Sequence, residues 1–367
     1  MSRSIVCPEC DDTGIPVNRR DFVRVIGSSA VAAAATVAVA NLSHLRPLQA
    51  DDKSKPASEK PASETTVKKL YDSLTPAQKE EICLDWDFSD DRGLLRTHVS
   101  NNWNITDVTK LNVGGDFFTK DQQDLIREIF LGLYNPDWHE RIFKQLRDDA
   151  DGYGKQQTIA IFGAPGTGKF EFVMTGRHLT IRCDGDSTEH TAFGGPIFYG
   201  HAASGFNETV GHPGNVYWHQ AQKANKLFQM LSGKQREQAL VEVAPQESRV
   251  EFKGRQGQIA GVPIAELSSD QKGHAQEVLQ TLLEPYRRVD QAEVAKMLES
   301  QGGLDACRLA FYRKAGDGSS LDLGDDGEWD VWRIEGPSFV WHFRGVPHVH
   351  VWVNVADDSS LKLNAKG

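Results

Sequence analysis

Four times in this chain a large apolar residue precedes a Thr or Ser that stands three residues ahead of a Gln. The four are Leu74-Thr75-Pro76-Ala77-Gln78, Phe118-Thr119-Lys120-Asp121-Gln122, Leu231-Ser232-Gly233-Lys234-Gln235 and Leu267-Ser268-Ser269-Asp270-Gln271. The hydroxyl can accept from a free N–H of the first helical turn, the Gln side chain can reach back to the cap residue's N–H, and the preceding apolar side chain can staple the entry. Each motif is therefore read as a helix start. Amphipathic runs follow, such as LIREIFLGLY from Leu125 and HAQEVLQTLLEPY from His274. Their irregular spacing argues against a solenoid, which repeats at a fixed period.

Between these helices lie two strand-rich blocks, residues 156–200 and 307–355. The second contains LAFYRKAG, WDVWRIEG, SFVWHFRG and HVHVWVNV, separated by Gly- or Pro-containing turns as in an antiparallel meander. With 39% hydrophobic and 25% charged residues the chain can build a packed core. The expectation is an α+β fold, with antiparallel sheet blocks under capped amphipathic helices in a single large domain over residues 67–367. The formal net charge of −10 argues against a nucleic-acid partner, which requires a basic footprint.

One stretch resembles a nucleotide site. GAPGTGKFEF, from Gly163, matches G-x-x-x-x-G-K-[ST] except that Phe170 stands where a magnesium-binding hydroxyl belongs. A phosphate loop must also open a helix. Here Phe170, Phe172 and Met174 alternate with their neighbours, which is a strand period. The stretch reads as a hairpin, and no nucleotide is expected.

The N-terminus reads as an address. Arg19-Arg20, then Phe22, then an uncharged Ala-rich run from Val25 to Leu42 with small residues at Ala38 and Ala40, has the build of a twin-arginine export signal within residues 1–50. The translocation machinery is the implied partner, and the periplasm or cell surface the implied location. An uncleaved anchor is the alternative, since the run approaches the roughly 20 residues of a membrane span. After cleavage no stable membrane span is expected. Residues 51–66, DDKSKPASEKPASETT, read as a flexible linker.

Cys7 and Cys10 form a lone Cys-Pro-Glu-Cys within the leader, a weak metal signal. Cys83, Cys183 and Cys307 remain, which fits one disulfide and a free thiol or three buried thiols. Nothing nearby marks a catalytic thiol.

FGAP at Phe162, GRHLTI at Gly176, GPIFYG at Gly195, RIEGP at Arg333 and HVHVW at His348, in this order with the capped helices, resemble the domain-of-unknown-function 3500 family over residues 71–358. The resemblance implies no established reaction. It does imply that His178 belongs to a family Gly-His-His-Leu segment, with Arg177 replacing the first His. It also implies that His342 stands where a Glu is common after the Gly-Pro.

On an extended HVHVWVNV, His348, His350 and Trp352 share one face and Val349, Val351 and Val353 the other. Two side-by-side imidazoles suit chelation of zinc, copper or iron. His178, read as lying on a strand, and His342 complete a candidate set of four ligands, the family likeness linking His178 to the pair. The alternative is a wet polar groove without metal. Arg177 reads as a surface charge pointing away from His178, and His201, His212 and His219 as incidental. Trp329, Trp332, Trp341 and Trp352 read as core packing rather than a sugar platform.

Two function classes follow. One is an exported metal-dependent hydrolase, acting on a small-molecule or polymer substrate the sequence does not name. Its ion would lower the pKa of a bound water and polarise a carbonyl or phosphoryl oxygen. The other is a non-catalytic exported protein that binds a metal or ligand.

Overall fold

Each of the four motifs opens a helix and forms the full reciprocal cap. The computed structural model describes residues 63–203, 214–316 and 328–365. Within them the helices are α1 (Ser63–Ser73), α2 (Pro76–Ile82), α3 (Val108–Leu111), α4 (Lys120–Gly132), α5 (His139–Ala150), α6 (Trp218–Met230), α7 (Gly233–Ala239), α8 (Ser269–Leu283) and α9 (Arg288–Ser300). Thr75, Thr119, Ser232 and Ser268 accept from the N–H of Gln78, Gln122, Gln235 and Gln271, whose side chains accept from the cap residues' N–H groups. The stapling residues Leu74, Phe118, Leu231 and Leu267 are all buried. The capping glutamines also meet in pairs. Gln78 Nε2 donates to Gln122 Oε1 at 2.8 Å, and Gln235 Nε2 to Gln271 Oε1 at 3.1 Å.

The strands are β1 (Cys83–Leu84), β2 (Ser89–Asp90), β3 (Gly93–Leu94), β4 (His98–Val99), β5 (Thr158–Gly163), β6 (Phe170–Gly176), β7 (Leu179–Cys183), β8 (Ile197–His201), β9 (Leu240–Val241), β10 (Val262–Pro263), β11 (Arg308–Tyr312), β12 (Val331–Gly336), β13 (Phe339–Arg344), β14 (Val349–Val355) and β15 (Asn364–Ala365). Eleven of them form one sheet in the order β1-β5-β6-β7-β8-β14-β13-β12-β11-β10, with β9 also paired to β11. The two strand-rich blocks are the meanders β5–β8 and β11–β14, joined through the antiparallel pair β8:β14. The α+β class holds. The sheet is mixed rather than purely antiparallel, because β1 runs parallel to β5 and β9 parallel to β11.

Those two parallel strands disclose an internal duplication. Each half runs helix, capped helix, short parallel strand, capped helix, helix and four-stranded meander: α1, α2, β1, α4, α5, β5–β8, then α6, α7, β9, α8, α9, β11–β14. α1 packs on α4 as α6 packs on α8. The sequences agree at the start of each half, where Lys69-Leu70, Leu74 and Gln78 match Lys226-Leu227, Leu231 and Gln235. The pairing of capping glutamines is thus the same contact made twice.

Register separates the sheet's faces. Ile159, Ile161, Phe172, Met174, Ile181, Tyr199, Trp332, Trp341, Val351 and Val353 join the helices' apolar stripes in the main core. Burial of this kind stabilises by about 25 cal/mol per Å² of apolar surface. The opposite face carries Phe198, Val340 and Trp352 alongside the buried polar residues Glu171, Arg182, Arg333, Glu335, His342, His350 and Asn354. It is covered by segments with little regular structure, including β2–β4 and residues 242–261, whose Val99, Val250 and Phe252 pack onto Phe198 and Trp352. Trp332, Trp341 and Trp352 are fully buried, in keeping with packing roles.

Helix α1 already includes Ser63, ahead of the expected start at 67. Thr66 is buried there, and its hydroxyl donates to Glu128 Oε1 at 3.2 Å, so the last four residues of the expected linker are helix. The twin arginines, the Ala-rich run, Cys7, Cys10, the rest of the linker and His212 lie outside the described residues. Among the described residues no helix is long and apolar enough to cross a membrane.

The nucleotide-like stretch is a hairpin turn. Gly163 has φ +72°, Ala164 N–H donates to Lys169 O at 2.9 Å, and β6 starts at Phe170. The helix a phosphate loop needs is replaced by a strand. Cys83, Cys183 and Cys307 are free thiols, so the disulfide alternative falls. Burial pushes the Cys83 thiol up to about 11 and the Cys307 thiol up to about 12, far from a reactive thiolate.

Candidate metal centre

Strand alternation places His350 on the polar face of β14, opposite Gly200 of β8. His348 stands just ahead of β14 and leans toward the same point. His178 comes from elsewhere: it lies not on a strand but at the corner between β6 and β7, with φ +54°. That left-handed backbone is uncommon for a residue with a Cβ, and such corners cluster at functional sites. It turns the imidazole inward, beneath β8. Gly200 makes the room, since a Cβ there would lie 3.3 Å from His178 Cγ and 2.4 Å from Val349 O.

The three rings meet nitrogen to nitrogen. His350 Nε2 is 3.0 Å from His348 Nε2 and 3.1 Å from His178 Nε2. Donor nitrogens of one tetrahedral ion at about 2.1 Å would stand roughly 3.4 Å apart, so the spacing is close to that of a shared cation. All three side chains are completely buried, and one ligand atom from each lies within 4.8 Å of the others. Phe198 closes one side, its ring centroid 5.2 Å from that of His350.

Carboxylates back two of the imidazoles. Asp149, near the end of α5, accepts from His178 Nδ1 at 3.0 Å, so that nitrogen carries the proton and Nε2 presents a lone pair to the centre. Asp149 is itself held by Ala202 N–H at 2.9 Å and Gln145 Nε2 at 2.8 Å. Burial works to raise its carboxyl, but the contact with His178 outweighs this and holds it at about 2. Glu247 Oε1 lies 3.0 Å from His350 Nδ1, and Glu247 Oε2 pairs with Arg344 Nε at 2.6 Å. The Arg344 guanidinium also contacts His350 Nδ1. Burial, then the charge of Arg344, holds the His350 imidazole well below its ordinary pKa, in the neutral form that ligates metals.

His178, His348 and His350 thus converge; His342 does not join them. His342 sits one strand away on β13, paired with Trp352, and takes a hydrogen bond from Arg333 Nε at 3.2 Å. Its packing against the Arg333 and Arg344 cations depresses its pKa after burial does, which explains a neutral buried histidine without any ligand role. Arg177 is half-buried, and its charge adds in a minor way to the depression of the His350 pKa. His201 is buried, accepting from Val216 N–H at 3.0 Å and meeting Asp148 at 2.9 Å; it braces the edge of the site. Asp149, Glu247, Arg344 and Gly200 carry no sequence mark of this role. The Gly of GPIFYG was visible, but its partner ring was not.

The chain matches the model of the family described as Protein of unknown function (DUF3500) over residues 56–353, most of its length, and it belongs to that family. No curated protein and no solved structure matches it.

Proposed function

We propose that this member of the DUF3500 family holds one transition-metal ion between His178, His348 and His350, and that it works as an exported metal-dependent hydrolase. The observation that carries the metal reading is the meeting of three Nε2 atoms. With Asp149 and Glu247 accepting the Nδ1 protons of His178 and His350, lone pairs point at one another, an arrangement that repels unless a cation lies between them. Three protein nitrogens is the ligand count of catalytic rather than structural zinc. A bound ion would supply Lewis acidity to a carbonyl or phosphoryl oxygen. Around it, Asp149 and Glu247 hold the imidazoles' orientation, and Phe198 keeps water from that side. Zinc, copper and iron all suit imidazole, so the ligand set alone does not choose among them.

A second reading rests on the Arg344 contact. If the guanidinium donates to His350 Nδ1, then His350 Nε2–H donates to His178 or His348, and a metal-free hydrogen-bond chain runs from Arg344 to Asp149. This suits a non-catalytic role, as does the complete burial of the triad.

Cobalt(II) titration of the chelated protein separates the two. Binding of about one ion per chain, with the intense visible bands of a four-coordinate site, lost in His178→Ala, supports the metal centre. Hydrolysis is then sought on ester, amide and phosphoester panels with and without chelator. Export through the twin-arginine route, inferred from Arg19-Arg20, fits a protein loaded with metal before it crosses the membrane.

A further inference from the structure

A cavity of about 260 Å³ opens on the polar face of the sheet, between the covering segments near Trp86 and Phe252. Its floor includes Asn354 of β14, four residues from His350, hence about 13 Å along the strand and apart from the histidine triad. We propose that this cavity binds a small organic carboxylate that also carries a hydroxyl or amide donor.

The charge of the wall is the first argument. Arg96, Lys169 and Lys362 line the cavity against the single carboxylate of Glu189, in a chain whose formal net charge is −10. Behind the wall, Glu171 lies 3.2 Å from Arg182 and 3.6 Å from Arg96, so it offsets Arg96 in part, and the positive character of the lining rests chiefly on Lys169 and Lys362.

Unused hydrogen-bonding capacity is the second. Arg96 stacks its guanidinium 4.2 Å above Trp86 and pairs its Nη1 with Glu171 Oε2 at 3.6 Å, yet its buried Nε has no hydrogen-bond partner among the described residues. Asn354 is 1% exposed; its Nδ2 donates to Val250 O at 3.0 Å, while its Oδ1 accepts from no donor among the described residues. Buried polar atoms left unmatched cost free energy, and such atoms facing a cavity mark where a ligand completes them. A carboxylate fits the guanidinium fork, which favours planar bidentate acceptors. A hydroxyl or amide N–H fits the Asn354 oxygen. The indole of Trp86, with Phe252 and Leu363, offers an apolar wall for the body between them. Lys169, the lysine of the nucleotide-like stretch, thereby acquires an anion to face, although the cavity belongs to a hairpin and not to a phosphate loop.

The test uses the full chain with benzoate and 4-hydroxybenzoate as probes, followed by calorimetry and thermal shift. Saturable binding is expected, tighter for the hydroxylated probe. Arg96→Gln should weaken both probes about tenfold or more, and Asn354→Leu should abolish only the advantage of the hydroxyl. Because Arg96 also faces Glu171, the exposed Lys169→Gln serves as a second variant that leaves the fold intact, and it should weaken both probes severalfold. No saturable binding by wild type, or binding unchanged in both Lys169→Gln and Asn354→Leu, overturns the proposal.

Discussion

His178 Nδ1 lies 3.0 Å from Asp149 Oδ2, and both side chains are completely shielded from solvent. The contact joins the end of α5 to the β6–β7 corner and fixes which nitrogen of His178 faces His348 and His350. Asp149→Asn keeps the shape but replaces the anion that orients the ring. Metal affinity should fall about 10–100-fold, read by chelator competition. Unchanged affinity would mean that Asp149 has no part in the site.

Gly200 permits the close approach of β8, β14 and the His178 ring. Gly200→Ala should destabilise the fold by about 1–3 kcal/mol in denaturant unfolding, because the new methyl group meets Val349 O and His178 Cγ. Bound metal should fall with it. A variant as stable as wild type with full metal content would contradict this placement of the ring.

Glu171 is buried beside Arg182 and Arg96, and burial outweighs their charges, pushing its carboxyl up to about 7 from 4.5. The folded state then holds a proton that the unfolded chain releases. The associated stability is complete below about pH 4.5 and is lost as pH rises through 7. Buried histidines such as His350 give the opposite slope, so the comparison is with Glu171→Gln on chelated protein. The variant should gain on wild type by about 1–3 kcal/mol between pH 5 and pH 8. A constant difference across that window would show that Glu171 titrates normally.

Much of this architecture was legible in the sequence, for physical reasons that differ by element. The four helix starts were readable because a reciprocal cap is a local interaction between residues three apart. The shared face of His348 and His350 follows from strand alternation in the same way. His178 was harder: its role depends on a left-handed corner and on a glycine in a distant strand, neither of which has a local pattern. Asp149 and Glu247 were invisible because a carboxylate behind a histidine is chosen by tertiary contact alone. The duplication has no fixed sequence period because insertions differ between halves; the element order and the paired capping glutamines reveal it. His342 misled because it shares a sheet face with His350 while its own partner is Arg333.

For the N-terminal segment, Arg19→Lys with Arg20→Lys should leave precursor in the cytoplasm, followed by fractionation of cells expressing the full chain. Export at the wild-type level would contradict the twin-arginine assignment.

The most direct measurement is the metal content of protein recovered from its own export route, by elemental analysis, for wild type and for His348→Ala, His350→Ala. The account predicts about one equivalent of a single transition metal per wild-type chain and almost none in the variant, with the variant shown folded by circular dichroism. Metal-free wild type that also fails to take up zinc, copper or iron, or equal metal in both proteins, would contradict it.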